Sequence, residues 1–121
     1  MADFSEDIQT MYALADLGTS LPRLIEALLE VLKRHPEELK GITASYGIYA
    51  VDTGFAKAFA LVGGELSLLA PGDTAEVMVS GTAENLLLVF QRKLTPVKAL
   101  LLGKVKVKGN RGALLKLAAF L

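Results

Sequence analysis

Leu86, Leu87, Leu88, Val89 and Phe90 stand in a row within a stretch whose pattern predicts a helix. Successive helical residues turn by about 100°, so five consecutive apolar side chains point all around the axis. A helix that is apolar on every side has to be buried on every side. The chain has 121 residues, which fits one domain. In a domain of that size a helix lying on a single sheet keeps its outer face wet. Ala99, Leu100, Leu101 and Leu102 repeat the difficulty, and Leu114, Leu115, Leu117, Phe120 and Leu121 add to it. Each leucine or phenylalanine left in water forgoes ~1.5–3 kcal/mol. The sequence therefore demands a cover: a second layer of helices, a partner subunit or an apolar ligand.

The rest of the chain sets the frame around these helices. Residues 3–17 predict a helix, because Phe4, Ile8, Met11, Tyr12 and Ala15 recur at helical spacing. Asp3 and Glu6 resemble a capping pair at its start, and Gly18 is a natural stop. Residues 21–34 predict a second helix, with Ser20 as cap and Pro22 in the first turn, where a missing N–H costs nothing. Its apolar stripe is Leu24, Ile25, Leu28, Leu29 and Leu32, and Pro36 ends it before a short turn over residues 36–40. The period then changes to two, which predicts strands over residues 46–51, 55–62, 65–70 and 75–80. Turns at Asp52-Thr53-Gly54, Gly63-Gly64 and Pro71-Gly72-Asp73 join them. Helices over residues 82–93 and 97–102 follow, separated by Pro96 and stopped at Gly103. Residues 104–108 alternate lysine and valine as a fifth strand, Gly109-Asn110 turns, and residues 112–121 predict a terminal helix. The fold class is α+β: one five-stranded, mixed but mostly antiparallel sheet covered by helices. The link between the fourth and fifth strands is long enough for a right-handed parallel crossover. No repeat, linker or low-complexity segment divides residues 1–121, so one domain is expected, with residues 1–18 as an extra helix. The small face of the second strand, Ala56, Ala58, Ala60 and Val62, either admits a close helix or leaves room for a ligand.

Little in the chain suggests catalysis. There is no cysteine, which excludes disulfides, thiolate metal sites and cysteine nucleophiles. His35 has no sequence partner for a triad or a metal site, and before Pro36 it reads as a solvated residue at a helix end. The glutamates at 26, 30, 37, 38 and 84 fall on solvated faces or in a first helical turn, not in an acid–base pair. Gly63-Gly64 joins two strands and so offers no helix N-terminus to a phosphate. No enzyme activity, cofactor or metal is expected. The acidic start (Asp3, Glu6, Asp7) lacks the charge of a secretion signal, and apolar runs fall far short of the ~20 residues of a membrane span. A cytoplasmic location is the expectation.

Charge is unevenly divided. Residues 1–84 hold all 13 acidic side chains and 5 bases, and residues 85–121 hold 8 bases and no acid. Either the two halves pack face to face, or the basic half offers a surface to anions. Lys104, Lys106 and Lys108 form a row that protects an edge strand from pairing with another chain or touches anionic headgroups. No aromatic residues interleave to stack bases, so nucleic acid is not expected. Transient contact with an anionic membrane surface is.

From Leu94 to Asn110 the chain runs Leu-Thr-Pro-Val-Lys-Ala-Leu-Leu-Leu-Gly-Lys-Val-Lys-Val-Lys-Gly-Asn, with Leu114 and Lys116-Leu117 beyond it. Upstream, Ala75-Glu76-Val77-Met78-Val79-Ser80 precedes Thr82, Glu84 and Leu86. This order resembles the sterol carrier protein 2 (non-specific lipid-transfer protein) family, although Arg92-Lys93 stands where Gly-Lys is usual and Leu100 where phenylalanine is common. The resemblance implies a five-stranded sheet whose helices enclose an apolar tunnel for fatty acids, acyl-coenzyme A, phospholipids or sterol-like molecules. Carried over by position, it points to Leu87, Phe90, Leu94, Leu100, Leu101, Leu117 and Leu121 as lining, with Phe59 and Leu61 as floor. The alternative is a non-catalytic interaction module that forms a homodimer or covers an enzyme of lipid metabolism. Monomer and homodimer are both compatible with the sequence.

Overall fold

The computed structural model describes residues 3–16, 20–70, 74–91 and 93–120. Among them the elements run α1 (Phe4–Asp16), α2 (Leu21–Arg34), α3 (Pro36–Leu39), β1 (Ala44–Ala50), β2 (Ala56–Val62), β3 (Glu65–Leu68), β4 (Val77–Gly81), α4 (Ala83–Phe90), α5 (Pro96–Leu101), β5 (Val105–Gly109) and α6 (Arg111–Ala118). The local signals account for most of the boundaries. Thr82, Thr95 and Asn110 each accept the backbone N–H three residues on, so they cap α4, α5 and α6. Gly103, at φ 69°, ends α5 in a Schellman turn: its N–H donates to the Leu100 carbonyl and that of Lys104 to the Ala99 carbonyl. Gly63 and Gly64, at φ 57° and 87°, make the β2–β3 hairpin turn.

The strands form one sheet in the order β3-β2-β1-β4-β5. Here the topology corrects the sequence. β4 and β5 pair antiparallel, with Gly81 opposite Val105 and Val77 opposite Gly109, whereas the parallel pair is β1 with β4. A single crossover helix would carry the chain to the far end of the sheet. Two helices, α4 and α5, run out and back. They return the chain to the end it left, where the Asn85 side-chain amide donates to the Lys104 carbonyl at 3.1 Å. The parallel relation belongs instead to β1 and β4: two antiparallel pairings return β3 to the direction of β1, and β4 runs the same way.

Alternation along the strands sorts the two faces of the sheet. Tyr46, Phe59, Leu61, Val77 and Val105 are buried beneath the helices, with Ile48, Val79 and Val107 beside them. Ser45, Tyr49, Ala58, Ala60, Ser80, Lys106 and Lys108 point the other way. The alanine face of β2 therefore meets neither a helix nor an interior ligand. It belongs to the uncovered side, where the Met78 side chain lies across Gly47.

The cover that α4 demanded is a second helical layer. α2 contributes Leu21, Leu24, Ile25, Leu28, Leu29, Val31 and Leu32 to the core. α1 adds Met11 and Ile8 to the core, packing chiefly on α2 and next on α4. Leu86 is buried, Leu87, Val89 and Phe90 are half-buried against the core where α4 meets α1, α2, α5 and β4, and Leu88 is half-buried. α6 is clasped onto β1 by the Tyr46 hydroxyl, which donates to the Ala113 carbonyl at 2.8 Å. Burial, and secondarily the Glu76 carboxylate, raises the Tyr46 phenol above its ordinary pKa, which keeps that donor protonated.

Candidate lipid-binding site

An apolar cleft of about 510 Å³ opens where three segments meet. The start of α2 supplies Ser20, Leu21 and Pro22, the β1–β2 turn supplies Thr53, Gly54 and Phe55, and α4 supplies Ala83 and Leu87. That volume lies in the range of small-molecule sites. Two backbone contacts hold the walls together. The Asp52 carboxylate accepts the Ala83 N–H at 3.0 Å, which fastens the turn to the first residue of α4. The Val51 N–H donates to the Gly81 carbonyl at 2.9 Å. Gly54, at φ 77°, lets the turn close tightly enough to bring Phe55 back toward α2. Ser20 and Thr53 are the hydroxyl-bearing residues of the lining, and the Thr53 hydroxyl accepts the Phe55 N–H of its own turn at 3.3 Å, so the site offers an apolar wall with few polar groups. A second cleft, about 360 Å³, lies along the outer side of α2 and is bordered by Arg23, Glu26 and Glu30, which suits it less to an apolar ligand.

The residues named from the resemblance fall into three groups. Phe59, Leu61 and Leu117 are buried in the core beneath the helices. The Phe59 ring packs against that of Tyr46, with centroids 5.5 Å apart. Leu87, Phe90, Leu94 and Leu100 are half-buried at the edge of the core, and Leu87 alone among them lines the cleft. Leu101 stands outside, 80% exposed. Leu121 lies outside the described residues, as does Arg92 of the basic segment. The sequence did not single out Leu21, Pro22, Phe55 or Ala83 as lining. Leu21 and Pro22 sit one turn before the apolar stripe of α2, and only the meeting of α2 with the β1–β2 turn gives them a role.

A buried polar pair also went unseen. His35 is not solvated: its side chain is 10% exposed, and Nε2 sits 2.6 Å from the Asp7 carboxylate. Arg34 approaches the same carboxylate at 3.5 Å and Glu38 lies 3.7 Å from His35 Nδ1. The Phe4 ring covers the imidazole with centroids 5.2 Å apart, and itself meets Phe120 edge-on. This cluster fastens α1 to the end of α2, and none of its members lines the cleft. All three of these contacts lie within the first forty residues, and among the described residues no ion pair joins the acidic half to the basic half.

Among the described residues no group of His, Asp and Glu could hold a metal ion, and no helix is long and apolar enough to cross a membrane. What the arrangement offers is apolar surface with a polar rim. Comparison with known proteins places this geometry. Human hydroxysteroid dehydrogenase-like protein 2 is 38% identical over 55 residues, which is 46% of this chain and 13% of that one. The sec-alkylsulfatase Pisa1 from Pseudomonas sp. contains a segment of the same fold, at a TM-score of 0.67 and 24% identity over 83% of this chain and 16% of that one. The palmitated SCP2L2 from Aedes aegypti aligns at a TM-score of 0.56 and 17% identity over 84% of this chain and 93% of that one. The chain thus spans about an eighth of the curated relatives it matches. The model of the SCP-2 sterol transfer family matches residues 25–121, from within α2 to the last residue. With the sheet order, the capped α5–β5–α6 passage and the match all in agreement, this chain belongs to the SCP-2 sterol transfer family.

Proposed function

We propose that this protein binds and carries lipids, with the acyl or sterol-like part of the ligand seated in the cleft between α2, the β1–β2 turn and α4. Fatty acids, acyl-coenzyme A, phospholipids and sterol-like molecules are the candidate ligands. The observation that carries the proposal is the cleft itself, lined by Leu21, Pro22, Phe55, Ala83 and Leu87 with Ser20 and Thr53 among them. Family membership points the same way. Phe90, Leu94 and Leu100, half-buried against the same core as Leu87, are apolar side chains that would part to admit a longer tail into the expected tunnel. Such a carrier acts without catalysis or cofactor, and a cytoplasmic setting suits it. The test is native mass spectrometry of protein purified from cells, combined with displacement of a fluorescent fatty acid. Bound lipid and displacement are expected, and Leu87→Asp should abolish both while leaving the far-ultraviolet circular dichroism intact. Absence of bound lipid and of displacement in the native protein would sink the proposal.

A second reading draws on the two relatives in which the matching segment is a small part of an enzyme chain. There the module would present its ligand to an enzyme or dock on one without carrying lipid. A mass that rises with concentration in ultracentrifugation, with no lipid bound, would favour it.

A further inference from the structure

The end of the sheet at which the cleft opens also carries the most exposed large apolar side chain of the described residues. Ala50, Gly81 and Val105 lie side by side there across β1, β4 and β5. Just beyond them, Val51 is 54% exposed, Leu102 64% and Leu101 80%. Val97, one turn earlier than Leu101 on the same face of α5, is 59% exposed. α5 is short and Leu101 fills no gap in the core: Ala99 makes the buried contact for that helix. The bond from Asn85 to the Lys104 carbonyl holds the α5–β5 corner against the first turn of α4, the turn whose Ala83 lines the cleft on the opposite side of the helix.

The charges around this apolar end are unequal. Lys93, Lys98 and Lys104 flank α5 and are exposed, and the chain from residue 85 onward contains no carboxylate side chain. Two acids lie nearby: Asp52, whose carboxylate is engaged by the Ala83 N–H, and Glu84 in the first turn of α4. Aliphatic side chains projecting between lysines match the boundary between acyl chains and anionic headgroups, because lysine stems lie along apolar surface while their ammonium groups reach the phosphates.

We propose that the α5–β5 corner, led by Leu101 and Leu102 with Val97, is the surface by which this protein docks on an anionic lipid bilayer. The proposal rests on the lipid-carrier reading and deepens it: docking at this corner sets the cleft mouth against the bilayer, so an apolar tail passes between them without crossing water. It also relocates the expected membrane contact. Lys106 and Lys108 point out of the uncovered face of the sheet, away from the cleft, and serve to guard the edge strand β5.

The chain contains no tryptophan, so Leu102→Trp gives a single emission to follow. With phosphatidylcholine vesicles containing phosphatidylglycerol, its emission should shift to the blue and the protein should co-sediment, with both effects smaller at high salt and with phosphatidylcholine alone. The double variant Leu101→Ser/Leu102→Ser should lose about tenfold or more in vesicle partitioning. It should still displace a fluorescent fatty acid in vesicle-free buffer as the native protein does, because neither residue lines the cleft. Native-like vesicle binding by the double variant would overturn the proposal, as would no vesicle binding by the native protein. Emission already blue-shifted without vesicles and dependent on concentration would overturn it too, by assigning the corner to a second copy of the chain. Vesicle binding without any fatty-acid displacement would support the docking surface and remove the carrier reading.

Discussion

His35 shows how far one side chain can depart from what its neighbours suggest. Next to Pro36 at a helix end, it has every local mark of a solvated residue, yet its partner Asp7 lies 28 residues earlier. Asp7 is the buried charged residue of the described core, 8% exposed, so its carboxylate depends on His35 and Arg34 for satisfaction. Hydrogen bonds to charged groups contribute more than neutral ones, and leaving a buried charge unpaired costs its desolvation. His35→Leu should therefore lower the unfolding free energy by roughly 1.5–3 kcal/mol in urea titration. A second residue-scale expectation contrasts two glycines with positive φ. At Gly103 an added Cβ meets open space, so Gly103→Ala carries only the left-handed backbone penalty, about 1–2 kcal/mol. At Gly109, φ 98°, the same Cβ would collide with the Glu76 carbonyl oxygen, which also accepts the Asn110 N–H. Gly109→Ala should be the more damaging of the two in thermal melts, because neither backbone can yield without breaking the β4–β5 ladder.

Among the elements, α6 is seated by two polar contacts, the Tyr46 hydroxyl on the Ala113 carbonyl and the Lys116 ammonium on the Gly41 carbonyl at 2.8 Å. The Tyr46 hydroxyl reaches from the middle of the sheet to the Ala113 carbonyl, 67 residues on. Tyr46→Phe should cost about 1 kcal/mol, the net worth of one neutral hydrogen bond. The same residue sets an alkaline limit. Its folded pKa is raised, chiefly by burial, so the unfolded chain releases the phenolic proton first as pH climbs. This contribution is complete below the ordinary tyrosine value of about 10 and is lost as pH rises from there through the folded value. Native stability should thus fall more steeply above that pH than the stability of Tyr46→Phe, as measured by urea titration across an alkaline series. The α4–α5 pair teaches a different point about elements. Its length is compatible with a parallel crossover, and its helix count decides otherwise, since one helix crosses the sheet and two return.

For the molecule as a whole, the open cleft and the apolar corner beside it favour breadth over selectivity. Each further methylene buried in the cleft adds ~0.8 kcal/mol, or about fourfold in affinity. Fatty-acid displacement constants should therefore fall smoothly with chain length until the tail outgrows the cleft, with no single length preferred by orders of magnitude. A sharp optimum at one length would show instead a closed chamber of set depth.

Much of this architecture was legible in the sequence because it rests on short-range physics. Helical spacing in α1 and α2, alternation in β1, β2 and β5 and the stops at Pro36 and Gly103 all act within a few residues. They give the order of elements and the α+β class, and the run from Leu94 to Asn110 resembles one family strongly enough to name it. The need for a cover over Leu86 to Phe90 was legible too, as a matter of burial. What supplied that cover was not: α1 and α2 close over α4 through contacts that no local pattern records. The same holds for the partner of His35, the pairing of β4 with β5, the side of the sheet on which the alanines of β2 face solvent, and the split of the predicted lining into the buried Phe59 and Leu61, the half-buried Leu87 and the exposed Leu101. Periodicity states which residues share a face. Only the packing of distant segments, driven by total apolar burial and by the satisfaction of buried polar groups, decides what that face meets.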